Sequence, residues 1–145
     1  MNFRKNVAAV IINSDNLILV GERRDIKNAW QIPQGGVDEG EDEATALFRE
    51  IKEETGIERN YLKILANSDP VSYFFPNRVN RRFGFDGQLQ TYFLLEIKES
   101  GWDLKPSKEF ISFDWITKEE AIKRVVDFKK NSYIKAFGQL FGDKR

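Results

Sequence analysis

The run Arg49-Glu50-Ile51-Lys52-Glu53-Glu54-Thr55-Gly56-Ile57 carries three carboxylates at positions i, i+3 and i+4. A helix turns by about 100° per residue, so with Glu50 at zero, Glu54 falls at about 40° and Glu53 at about −60°. Like charges at these spacings repel one another, and a purely structural helix gains nothing from them. One reading is a solvated acidic face. The other is a cluster of oxygen ligands for a hard cation such as Mg²⁺ or Mn²⁺. Taken alone the helix supports both equally, but Gly35-Gly36 lies just upstream of Glu41. Glycines there let the chain fold back so that backbone groups join the acidic face. Arg49, four residues before Glu53, can pair with one carboxylate and orient it.

Composition narrows the chemistry further. The 145 residues include no His and no Cys. Imidazole bases, Ser-His-Asp triads, thiol nucleophiles and Cys- or His-ligated metals are therefore excluded. Carboxylates, Lys, Tyr and oxygen-held metals are what remain. The formal net charge is zero, with 23 basic and 23 acidic residues. That balance hides a segregation, because Asp38–Glu54 sums to −6 and the rest of the chain to +6. An acidic segment in a basic body points to cations on one side and an anionic substrate on the other. No apolar run approaches the ~20 residues of a membrane helix. No secretory signal is visible at Met1–Lys5, so no membrane partner and a cytoplasmic setting are expected.

The elements that must position these residues follow from the hydrophobic pattern. Val7–Ile12 and Leu17–Val20, joined by Asn13-Ser14-Asp15-Asn16, read as a hairpin. Trp30–Gly36, with Pro33 and two glycines, reads as a loop. Glu41–Thr55 reads as a helix packed through Ala44, Leu47, Phe48 and Ile51, with Gly56 as its left-handed cap. Tyr61–Ala66, Val71–Phe75, Leu89–Ile97 and Phe110–Ile116 read as strands. Thr117-Lys118-Glu119-Glu120 opens a helix as a capping box, and Tyr133–Phe141 supplies a last amphipathic one. The order predicts an α+β chain with a mixed sheet, a single domain over 1–145.

The spacing G-x5-E-x7-R-E-U-x-E-E-x-G-U (U aliphatic) resembles the Nudix box. Gly35, Glu41, Arg49, Glu50, Ile51, Glu53, Glu54, Gly56 and Ile57 fill its defined positions in order. The resemblance implies the Nudix fold, an α/β/α sandwich around a mixed sheet. It also implies metal-dependent hydrolysis of a nucleoside diphosphate linked to another moiety. Glu50, Glu53 and Glu54 would ligate Mg²⁺ or Mn²⁺, helped by the Gly35 carbonyl, with Glu41 and Arg49 bracing loop against helix. The general base would be a carboxylate, Glu53 or a loop residue.

The flanks resemble one branch of that family. Trp30-Gln31-Ile32-Pro33-Gln34-Gly35-Gly36, Gly87-Gln88-Leu89-Gln90-Thr91-Tyr92-Phe93 and Val125-Val126-Asp127-Phe128-Lys129-Lys130 are similar to motifs of RNA 5′-pyrophosphohydrolases and diadenosine polyphosphate hydrolases. The last looks like a helix start. The resemblance implies 5′-phosphorylated RNA or a dinucleoside polyphosphate as substrate. Arg4 and Phe128 would flank a base, Arg24 and Lys129 would contact phosphates, Gln34 would join the substrate site, and Glu109 would approach the metals from a loop. The competing readings are a core place for Phe128, a solvated surface for Arg4 and Lys129, and surface pairing of Glu109 with Lys105 or Lys108. Arg78, Arg81 and Arg82 form a basic loop, read either as a polyphosphate contact or as a charged surface segment. A nucleotide-binding module without catalysis is the alternative outside enzymology, and intact Glu50, Glu53 and Glu54 weigh against it.

Overall fold

A computed structural model describes residues 2–76 and 84–142. The basic loop with Arg78, Arg81 and Arg82 lies outside the described residues. These residues form eight strands in one sheet and three α-helices.

Strand β1 (Phe3–Ile12) is apolar on both faces from Val7 onward, the pattern of a strand covered on both sides. It runs parallel to β7 (Gly87–Ile97), in register from Phe3↔Gly87 to Ile12↔Glu96. The Asn13 side chain accepts from the Asp15 and Leu17 amides and turns the chain into β2 (Ile18–Arg23). The expected hairpin is short, since β1 and β2 pair only at Ile12↔Ile18. The longer partner of β2 is β8 (Phe110–Ile116). β5 (Leu62–Asn67) and β6 (Val71–Phe74) both lie antiparallel to β7.

The segment expected as a loop, Trp30–Gly36, is two short strands on either side of Pro33. β3 (Trp30–Gln31) pairs with β2, and β4 (Gln34–Gly36) pairs antiparallel with β1 through Ala8↔Gln34, Val7↔Gly35 and Asn6↔Gly36. The Ala9 amide donates to the Pro33 carbonyl at 2.8 Å, so proline sits where no donor is needed. Glycine in a strand costs side-chain packing, and β4 accepts that cost where another group must approach its backbone closely.

Helix α1 (Glu43–Thr55) starts at Asp42, whose carboxylate caps the Thr45 amide at 2.7 Å. It ends at Gly56, left-handed at φ 84°. Its buried face is Ala46, Leu47 and Ile51, with Glu54 and Thr55, while Ala44 and Phe48 are only half-buried. α2 (Lys118–Arg124) is capped by Thr117 as the sequence suggests. A 3₁₀ turn over Asp127–Lys129 leads directly into α3 (Lys130–Leu140), so the motif from Val125 to Tyr133 does contain a helix start, entered through a 3₁₀ turn. The sheet separates two apolar clusters. Val7, Ala9 and Ile11 pack under α1, while Ala8, Val10 and Ile12 pack with Tyr133 and Phe137 on the side of α2 and α3. Helices on both faces of a mixed sheet make the expected α/β/α sandwich.

Candidate active site

Strand β4 lies directly beneath α1. A Cβ added to Gly35 would run into the Glu50 carboxylate, so glycine is what allows this approach. Arg49 locks strand and helix together. Its Nε and Nη2 donate to the two carboxylate oxygens of Glu41 at 2.9 Å each, Nη2 also donates to the Gly36 carbonyl at 2.9 Å, and Nη1 to Glu50 at 2.8 Å. The Asp38 amide adds a further bond to Glu41. Hydrogen bonds from Arg49, then from the Asp38 amide, hold the Glu41 carboxyl down at about 2. The i,i+4 partner Glu53 lies in ion-pair range of Arg49 at 3.7 Å, and the folded-back loop adds the closer, bidentate partner Glu41.

Glu50, Glu53 and Glu54 line one wall of an open cleft of about 560 Å³, and Pro106–Glu109 line the other. Glu54 is buried and accepts from the Gln34 amide at 3.1 Å. Burial, with Glu109 and Glu50 adding their repulsion, pushes its carboxyl up to about 9. Burial also raises Glu50, against the opposing pull of Arg49. The Glu53 side chain is 60% exposed and lies 3.7 Å from Arg49 Nη1.

Among the described residues no three acidic groups already converge as a metal cage. Glu50 is turned to Arg49, Glu54 to Gln34, and Glu53 outward. The donor chemistry nonetheless fits a hard cation: Glu50, Glu53 and Glu54 face Glu109 across the cleft, and burial, with the acidic neighbours adding to it, drives Glu54 toward neutrality.

The loop bearing Glu109 is held in place by Arg24. Its guanidinium donates twice to the Ser107 carbonyl, at 3.1 and 2.8 Å, and its amide donates to the Glu109 carbonyl. Ser107 Oγ in turn accepts from the Glu109 and Phe110 amides. The guanidinium expected on phosphate is thus engaged with this loop.

The residues expected on the substrate gather on the α3 face of the sheet. Arg4, Gln88 and Tyr73 are register partners on three adjacent strands, so their side chains share one face. The Arg4 guanidinium lies against Gly36, the residue whose carbonyl holds Arg49. Phe128 is 37% exposed, with its ring 5.6 Å from that of Tyr73, so it is not a core residue. Lys129 is 5% exposed, not the solvated residue of the competing reading. Its Nζ reaches Gln31 Oε1 at 3.5 Å and lies 5.7 Å from the Tyr73 ring centroid. Burial, with Arg23 adding to it, lowers the ammonium to about 8, while Glu109 and Glu54 pull the other way. Tyr73 was not singled out from sequence; its alternation in β6 looks like any strand residue. Gln88 and Gln90 were visible only as part of a strand motif.

The NUDIX domain family model matches residues 2–136. The chain belongs to the Nudix family. A Helicobacter pylori protein named RNA pyrophosphohydrolase is 42% identical to this Nudix chain over 139 residues, 90% of this chain and 88% of that protein. A Campylobacter jejuni protein of the same name is 37% identical over 142 residues, 92% of this chain and 90% of that one. Among solved structures, an Ap4A hydrolase from C. elegans superposes with a TM-score of 0.75 at 24% identity, covering 96% of this chain and 98% of that one. That likeness establishes the fold. Nudix hydrolases generally need a divalent metal. No helix among the described residues is long and apolar enough to cross a membrane.

Proposed function

We propose that this Nudix hydrolase, a single domain over 1–145, removes pyrophosphate or phosphate from the 5′ end of tri- or diphosphorylated RNA and leaves a 5′-monophosphate. The observation that carries the reading is one juxtaposition. Gly36 joins the carboxylate cleft, through Arg49, to the shelf of Arg4, Gln88, Tyr73 and Phe128. A terminal base seated between Arg4 and Phe128 would leave its phosphate chain in the cleft. The relatives named RNA pyrophosphohydrolase support the same substrate class.

Glu50, Glu53, Glu54 and Glu109, with the Gly35 carbonyl, would hold Mg²⁺ or Mn²⁺. When bound, such an ion neutralises phosphate oxygens and lowers the pKa of water. The chain's own groups do the rest. Glu53 or Glu109 takes the proton of the attacking water. Lys129 faces the phosphate chain as a cation, Gln34 shapes the floor beneath it, and Arg24 keeps the Glu109 loop in reach. A cytoplasmic setting belongs to the same proposal.

The test is direct. With Mg²⁺ present, the protein should convert triphosphorylated RNA to 5′-monophosphorylated RNA. Glu53→Gln should abolish turnover and keep RNA binding. Unchanged turnover in that variant would end the metal-hydrolase reading.

A further inference from the structure

The sheet face toward α3 is apolar at Ala8, Val10 and Leu94, yet a polar network is buried beside them. Gln90 is 1% exposed, and Asn6 and Tyr92 are equally buried. The Gln90 amide donates to Asn6 Oδ1 at 2.7 Å and to Gln34 Oε1, and its carbonyl accepts from the Tyr92 hydroxyl at 3.0 Å. Both N–H groups and the oxygen of Gln90 are thus engaged. The Gln34 side chain crosses β1 to reach it, passing the small side chain of Ala8, its register partner. From the same residue, the Gln34 backbone N–H donates to Glu54 Oε1 at 3.1 Å.

An apolar side chain in place of such a network is nearly neutral for stability when it removes the partners together. What the network adds is orientation, because a fully satisfied set of buried amides has one arrangement. We propose that Gln90 is a positioning residue for the metal site: it holds the Gln34 side chain from across β1, and so fixes the backbone N–H that clasps Glu54. This rests on the reading of Glu54 as a metal ligand.

Mn²⁺ titration calorimetry on the whole protein, alongside Mg²⁺-dependent turnover and thermal melting, tests it. Gln90→Leu should weaken Mn²⁺ binding or lower kcat by about 10–100-fold, the usual effect of losing an outer support of a metal ligand. KM should stay within about threefold, while the melting temperature should fall, because the buried Asn6 side chain and Tyr92 hydroxyl lose a partner. Gln34→Met removes the same handle from a half-buried position, so it keeps the test open if Gln90→Leu does not fold. It should weaken Mn²⁺ as much, and the double variant should be no worse than either single one. Mn²⁺ affinity and kcat within about twofold of wild type in folded Gln90→Leu and Gln34→Met would overturn the proposal. Wild type that binds no Mn²⁺ would instead overturn the metal reading beneath it, and the proposal with it.

Discussion

Gly35→Ala separates the cost of a shape change to the fold from its cost to the chemistry. The added Cβ would collide with the Glu50 carboxylate, whereas ordinary carbon contacts need about 3.5–4.0 Å. Glu50 must withdraw by more than about 1 Å, and a misplacement of that size at a reacting centre costs about 10²-fold in rate. That corresponds to about 2.7 kcal/mol in kcat/KM. The stability cost is smaller, because what moves is the end of a flexible side chain. Losing the 2.8 Å bond between Arg49 and Glu50 removes about 1–3 kcal/mol. Gly35 is not among the positive-φ residues, so alanine returns about 0.4–1 kcal/mol by restricting the unfolded chain. The variant should therefore fold, melt only a few degrees lower, and lose about two orders of magnitude in kcat/KM at saturating Mg²⁺. Folded Gly35→Ala with kcat/KM within about threefold of wild type would refute the placement of Glu50 at the reacting centre.

Other outcomes follow from the same geometry. Phe128→Ala should weaken transition-state binding by about 1–3 kcal/mol if a base stacks there, with little change in melting temperature because the ring is partly exposed. Lys129, lowered to about 8, loses its charge as pH rises through 8, so kcat/KM should fall on that alkaline limb, and Lys129→Met should lack the limb. Stability should move the opposite way between pH 8 and the ordinary lysine range, where the unfolded chain holds the proton more tightly. Glu41, depressed to about 2, contributes stability that is fully present above its ordinary value of 4.5 and is lost as pH falls toward 2. Wild type and Glu41→Gln should accordingly melt apart at neutral pH and converge in strong acid.

The parts of the site that repeat along the chain were legible, and those made by distant strands were not. Glu50, Glu53 and Glu54 share a face because helical period alone dictates it, and Asp42 and Gly56 bound that helix by local rules. β4 escaped notice because Gln34-Gly35-Gly36 has no hydrophobic alternation, and only its pairing with β1 makes it a strand. Helix spacing brings Arg49 to Glu53, but its bidentate grip on Glu41 depends on the loop folding back and is not written in the spacing. Lys129 reads as a surface cation in sequence; the 3₁₀ turn over Asp127–Lys129 buries it beside Tyr73. Gln90, Asn6 and Gln34 meet across β7, β1 and β4, a contact that exists only after the parallel pairing of β1 with β7.

One competition measures hydrolysis of phosphorylated RNA ends in the carboxylate cleft most directly. Triphosphorylated RNA, diphosphorylated RNA and diadenosine tetraphosphate are supplied at equal concentration with Mg²⁺, and kcat/KM is read for each. The RNA ends should dominate, yield 5′-monophosphates, and cease to react when the metal is chelated. Dominant hydrolysis of the dinucleotide, or RNA turnover that survives chelation, would contradict the proposed function.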